Sequence, residues 1–155
     1  MTQPEPRDRE QRIRDTLAKL TEPAMDVWVA TAASAGPAAE PYLVPLSLAW
    51  IDERVVIAVD SSSRTARNLD AGRTARLALG PTRDVVVIDA RLERSVPVDD
   101  AADLADRYAQ QADWDPRTAG DGYRYLVLRP ERIQAWREVD ELPGRTLMRD
   151  GTWLT

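Results

Sequence analysis

The stretch VVIAVDSSSRTARNLDAGRTARLAL, residues 55–79, decides the reading of this chain. Residues 55–59 are apolar and largely β-branched, which suits a strand. Asp60, Ser61, Ser62 and Ser63 make a polar turn, residues 64–71 a short basic helix, Gly72 its end and residues 74–79 a second strand. A serine before a helix is a good N-cap, because its hydroxyl accepts one of the unpaired first-turn amides. Those amides, the positive end of the helix dipole and an arginine in the first turn together make a seat for phosphate. Arginine suits the role because its planar guanidinium can bond two phosphate oxygens at once. The chain is acidic overall, yet Arg64, Arg67, Arg73 and Arg76 cluster here. A capped surface helix with solvated arginines is the plainer reading of the same residues.

Composition narrows the rest. A length of 155 residues is enough for one domain with a sizeable core. We expect that domain to span residues 1–155, with a lead-in and helix over 1–24 and a tail or hairpin over 138–155. A net charge of −5 argues against broad binding to nucleic acid or to an anionic membrane. No apolar run is long enough to span a bilayer, and the polar start is unlike a secretory signal, so a cytoplasmic protein is expected. There is no cysteine and no histidine, which removes thiolate catalysis, the usual general base and the usual metal and haem ligands. Lys19 is the only lysine. No metal site is expected, since no EF-hand spacing accompanies the carboxylates. Redox chemistry in such a chain needs a bound cofactor.

Outward from the central stretch, Ile13, Leu17 and Leu20 recur at helical spacing within residues 7–20, behind a loose lead-in at 1–6. Residues 26–32 read as a strand and 33–41 as a connecting loop containing Gly36 and Pro37. Residues 42–50 form a strong strand, with Tyr42, Val44, Leu46, Leu48 and Trp50 on one face. Pro45 cannot donate to a ladder, which marks an edge, a bulge or an irregular site. A tight turn at 51–54 leads into the strand at Val55, giving a meander. Residues 84–96 form a long β segment whose start, Val85 to Ile88, reads as buried on both faces. Asp99 is the expected N-cap of a helix through Gln111, with Ala101, Leu104, Ala105 and Tyr108 facing inward. Residues 123–128 and 133–136 read as two strands joined around Pro130. The Asp150-Gly151 pair predicts a hairpin near the end. Six or seven strands with three helices, not regularly alternating, favour an antiparallel barrel or sandwich over a doubly wound fold.

The order of elements and the residues around Arg64 resemble the pyridoxamine 5'-phosphate oxidase-like superfamily, the flavin and deazaflavin split β-barrels. The resemblance covers roughly residues 25–136. It rests on Pro41-Tyr42-Leu43-Val44-Pro45 after a Gly-Pro loop, and on Ser63-Arg64-Thr65-Ala66-Arg67-Asn68-Leu69 followed by Arg76-Leu77-Ala78-Leu79. The long strand from Val85, with a helix and closing strands after it, is the third feature. The arginine preference, the alanine richness and the tail from Gly144 to Leu154 look like actinobacterial members.

What the resemblance implies is a mainly β (α+β) fold, a six- to seven-stranded antiparallel split β-barrel with a few peripheral helices. It implies a homodimer with cofactor sites at the interface, holding FMN or coenzyme F420 and acting as an oxidoreductase on a small-molecule substrate. Arg64 and Arg67 would be the cationic partners of the cofactor phosphate, at the turn holding Ser62, Ser63, Thr65 and Asn68. The ring would lie along Leu43, Val44, Pro45, Leu46 and Ser47. Trp28, Trp50 or Trp153 would line the substrate side, and solvent or a tyrosine such as Tyr42 or Tyr123 would handle protons. Arg73, Arg76, Arg83 and Arg124 would serve the acidic tail of F420 if they face one groove. Thr65 stands where oxidase-type members carry a second basic residue, and the oxidase's Arg-Leu-x-Pro-type segment is missing, so pyridoxine-phosphate oxidation is not expected. Haem-binding relatives exist, but the absence of histidine speaks against that role. A non-catalytic barrel that stores or senses a flavin or F420, or a cofactor-less scaffold, is the alternative.

Overall fold

The computed structural model describes residues 4–33 and 36–155. The start of the expected lead-in and positions 34 and 35 of the expected 33–41 loop lie outside the described residues. The elements are α1 (Arg9–Thr21), β1 (Asp26–Thr31), β2 (Tyr42–Ser47), β3 (Ala49–Ile51), β4 (Arg54–Asp60), α2 (Arg64–Gly72), β5 (Thr74–Leu79), β6 (Val85–Pro97), α3 (Ala102–Ala112), β7 (Tyr123–Trp136), β8 (Thr146–Arg149) and β9 (Thr152–Trp153). The strands form one antiparallel sheet in the order β2-β1-β5-β6-β7-β4-β3, with the β8–β9 hairpin attached to β7. This is the mainly β architecture expected of a split barrel.

The strands do not run as a simple meander. β4 pairs with β3 and β7, whereas β5 pairs with β1 and β6. Helix α2 therefore carries the chain across the barrel from one half of the sheet to the other. Two turns are set by backbone sign: Asp52 and Glu53 both have positive φ, as do Asp150 and Gly151. That combination matches the right-handed twist of the flanking strands.

The expected 42–50 strand is broken at Leu48. Its first part, β2, is the edge strand beside β1, which accommodates Pro45, while its second part, β3, pairs with β4 at the other end of the sheet. Leu48 is fully buried at the break. The faces invert there: Leu43 and Pro45 are exposed, but Ala49 and Ile51 beyond the break are buried.

Two apolar cores result. The barrel interior gathers Val27, Val29, Ile57, Leu69, Leu77, Ile88, Leu126 and Ile133. The outer side of β4 and β7 packs under α3 through Val56, Ala58, Leu104, Tyr108 and Tyr125. The strand buried on both faces is thus β4, where every residue from Val55 to Val59 is buried. Val85 and Val87 of β6 are only half buried, contrary to the expectation for that segment, because α3 covers the neighbouring half of the sheet.

Other differences are local. Asp99 does not cap α3; it lies in a 3₁₀ turn at Val98–Asp100, and the helix starts from Ala101 without a side-chain cap. The inward stripe of α3 is as expected. The strands either side of Pro130 are one continuous, irregular β7, with register shifts against β6. Helix α1 buries Leu20 and packs Ile13 half buried against the barrel core, as expected of that stripe, and it also buries Arg12 and Thr16. The burial of Arg12 follows from the chain segment around Glu141. Arg12 donates to the Glu141 carbonyl (2.9 Å), and the Arg7 guanidinium grips the Glu141 carboxylate (2.7 and 3.0 Å). Arg7 thereby fastens the residue after the expected loose lead-in.

Candidate functional site

Helix α2 is positioned by its apolar residues Ala66 and Leu69, which enter the barrel core. Gly72 lets its last turn approach β1, since a Cβ there would stand 2.8 Å from the Ala32 carbonyl oxygen. The N-terminus emerges at the end of β4. Ser63 is its N-cap, as expected, and the hydroxyl accepts from the Ala66 amide (3.2 Å). The amides of Arg64 and Thr65 have no acceptor among the described residues. Thr65 is only 3% exposed, so its amide is a sheltered donor calling for a water or a ligand.

The side chains around these amides divide sharply. Arg67 is exposed and pairs with no carboxylate among the described residues. Arg64 is engaged: its Nη2 donates to Glu40 Oε2 (3.2 Å), and its Cζ lies 5.1 Å from the centre of the Tyr42 ring. Ser62 is engaged as well, because Asp60 Oδ1 accepts from both its amide (2.8 Å) and its hydroxyl (2.6 Å). The Ser62 donors hold the Asp60 carboxyl below its usual range. Asn68 faces inward, buried, and donates to Thr31 Oγ1 (3.1 Å), so it braces α2 against β1. The Thr65 side chain is likewise turned inward.

The Arg64–Tyr42 contact ties the helix terminus to the first residue of β2, bringing together the two stretches singled out for phosphate and ring. Within β2, Leu43 (58% exposed) and Pro45 look outward, Val44 and Leu46 are half buried, and the Ser47 carbonyl accepts from the buried Tyr108 hydroxyl (3.3 Å). Burial pushes the Tyr108 hydroxyl above its ordinary pKa. Leu43 pairs in register with Ala30, and Pro45 with Trp28. Trp28 is 51% exposed, and beyond it the outer face continues through Ala78 and Val87. A shallow trough of about 560 Å³, lined by Ala30, Ala39, Pro41, Thr74, Arg76 and Asp89 among others, crosses this face beside Glu40.

The three tryptophans separate. Trp50 is half buried against the barrel core. Trp153 lines a more enclosed cleft of about 640 Å³ with Arg54, Arg129 and Met148. That cleft is at the Arg54 end of β4, roughly 20 Å from the Asp60 end at strand rise. Only Trp28 is on the face that β2 presents. Tyr123 pairs with Asp60 at the serine turn and packs edge-on against Trp114. The surplus arginines do not line one groove. Arg73 donates to the Leu92 carbonyl, Arg76 pairs with Asp89 (2.6 Å), Arg83 with Glu138 (3.4 Å), and Arg124 holds Ser95. Glu40 and Asp60, the two carboxylates at the seat, were not singled out in the sequence; the Asp-Ser-Ser order carried a signal for Asp60, while Glu40 carried none.

Comparison with known proteins places the fold. No protein-family model matches the chain, and no curated protein is significantly similar to it. Solved structures do match. An F420 reductase is 19% identical with a TM-score of 0.57, over 75% of this chain and 94% of that one. A pyridoxamine 5'-phosphate oxidase-related, FMN-binding protein from Nostoc punctiforme is 15% identical with a TM-score of 0.51, over 82% and 78%. A haem-binding protein from Mycobacterium smegmatis is 18% identical with a TM-score of 0.63, over 97% of this chain and 60% of that one. The structural neighbours are therefore split-barrel proteins of the pyridoxamine 5'-phosphate oxidase-like kind, and this chain has their fold. Among the described residues no helix is long and apolar enough to cross a membrane.

Proposed function

We propose that the protein is an FMN- or F420-dependent oxidoreductase that works as a homodimer on a small organic molecule. One observation carries this reading: two amides without an acceptor among the described residues lie at the N-terminus of α2, whose exposed Arg67 pairs with no carboxylate among them, and Arg64 and Tyr42 fasten that terminus to an exposed edge strand. That donor set fits a phosphate, as amides at a positive helix end and a forked guanidinium are its natural partners. When bound, the cofactor supplies the hydride chemistry. The chain's part is to hold the phosphate with Arg67 and the Arg64 and Thr65 amides, and to offer β2 and Trp28 to the ring. It needs no acid–base residue at the reacting carbon, which accords with a chain lacking histidine and cysteine.

On the outer face of β2 and β1, Trp28 and Leu43 stand exposed beside Pro45, and a second copy is the partner we assign to that patch. The test is titration with FMN and with F420, followed by cofactor fluorescence. Saturable micromolar binding of either supports the reading, and failure of both rejects it. The scarcity of reactive side chains favours a second reading, a barrel that stores or senses the cofactor. Reduced, bound cofactor that reoxidises no faster when candidate acceptors are added selects that reading over the enzyme.

A further inference from the structure

The seat at α2 carries its own anions. Glu40 reaches the Arg64 guanidinium at 3.2 Å, and Asp60 takes both Ser62 donors at 2.6 and 2.8 Å. Both carboxylates thus occupy groups that a phosphate would use. Arg64 and Arg67 are matched by Glu40 and Asp60, so the seat is close to electrically neutral before any ligand arrives. What stays open is Arg67 and the amides of Arg64 and Thr65, a small donor set.

Phosphates differ in what they ask of such a seat. A phosphomonoester, the end group of FMN, brings about −1.5 to −2 charges at neutral pH and three terminal oxygens. It needs Arg64 released from Glu40 and must sit beside the Asp60 carboxylate, and like charges at close range oppose each other. A phosphodiester-type group, as in F420 or the diphosphate bridge of FAD, is singly charged at each phosphorus and presents two free oxygens there. The open donors can satisfy it while both carboxylates stay in place. We propose that Glu40 is the specificity-determining residue of this seat, favouring a phosphodiester-linked deazaflavin or flavin dinucleotide over FMN. This rests on the cofactor site proposed above.

Glu40 is well suited to a test because its side chain is 81% exposed, so its replacement leaves the core untouched. Wild-type protein, Glu40→Gln and Glu40→Lys would be titrated with FMN, FAD, F420 and riboflavin, following fluorescence, with thermal melts confirming that all fold alike. The expected wild-type result is tighter binding of F420 or FAD than of FMN, by about fivefold, the scale of one exposed charge pair. Glu40→Gln should strengthen FMN by about three- to fivefold and Glu40→Lys by about tenfold, with smaller changes for the diesters. Binding of F420 but not FAD identifies a deazaflavin, and the reverse a dinucleotide. FMN binding most tightly to the wild type, or equal shifts for all ligands, overturns the role of Glu40 and leaves the cofactor site standing. Riboflavin binding as tightly as the phosphorylated ligands also overturns it. No binding of any ligand removes the cofactor reading itself, and the role of Glu40 with it.

Discussion

The Arg64 guanidinium lies over the Tyr42 ring, 5.1 Å from its centre, so the first residue of α2 is fastened to the first residue of β2. A cation held by an aromatic face and by Glu40 is already partly satisfied, whereas Arg67 one turn on is not. Arg67→Ala is therefore expected to weaken cofactor binding by about 1.5–3 kcal/mol, the scale of a hydrogen bond to a charged group. Arg64→Ala should cost less, at most about 1 kcal/mol, since that side chain is already held by Glu40. Fluorescence titration of both variants checks the order, and equal losses would show that Arg64 binds as freely as Arg67.

Trp28 is an exposed tryptophan on the outer sheet face, opposite Pro45 and next to Ala78 across the strands. Trp28→Glu places a charge in the middle of the proposed contact between copies. The expected outcome is a monomer by light scattering behind size-exclusion chromatography, with an unchanged far-ultraviolet circular dichroism spectrum. A wild type that runs as a monomer at micromolar concentration removes the dimer from the proposal.

Glu141 makes a pH-dependent fastening of the N-terminal segment. The Arg7 hydrogen bonds pull its carboxyl from an ordinary value of 4.5 down to about 2. Because the folded value is the lower one, the stabilisation is fully present above about pH 4.5 and is lost as pH falls towards 2. Urea unfolding across that interval should show the loss. In Glu141→Gln, which leaves the Arg7 guanidinium to Asp15 (2.9 Å) and Asp84 (3.5 Å), stability at neutral pH should drop by about 1.5–3 kcal/mol, the scale of a charged hydrogen bond, and its decline over that interval should flatten.

Gly72→Ala tests how closely α2 must approach β1. The added methyl would stand 2.8 Å from the Ala32 carbonyl, a distance that forces the helix end to move. A loss of about 1–3 kcal/mol is expected, measured by thermal or urea unfolding. No loss at all would mean that the end of α2 shifts without strain.

Much of the scaffold was legible in the residues because local chemistry dictates it. The Ser63 cap, the β5 run at Thr74–Leu79 and the turn at Asp150-Gly151 each follow from side chains within a few positions of one another. What stayed hidden was decided by partners distant in the chain. The break at Leu48 exists because residues on its two sides find different neighbours, β1 and β4. The burial of Arg12 in α1 follows from Glu141, more than a hundred residues away. For the candidate site, the Ser63-capped helix start and its two arginines were readable from residue types and spacing. That Glu40 would claim Arg64, and Thr31 the Asn68 amide, depends on where β1 and the 36–41 connection pass, which no local pattern encodes.

The bend at Leu48 also bears on which changes of chain length the fold tolerates. Residues 42–51 supply both outermost strands of the sheet without a loop between them, so neither end can slide independently. One inserted residue between Ser47 and Ala49 has no slack to occupy, and it would turn either Leu46 away from the barrel or Ile51 away from α3. The turn-rich segment 113–122, between α3 and β7, sits outside both cores apart from a few anchors and can lengthen freely. Natural length variation among proteins built on this plan should therefore concentrate in such connections and spare the Ser47–Ala49 junction.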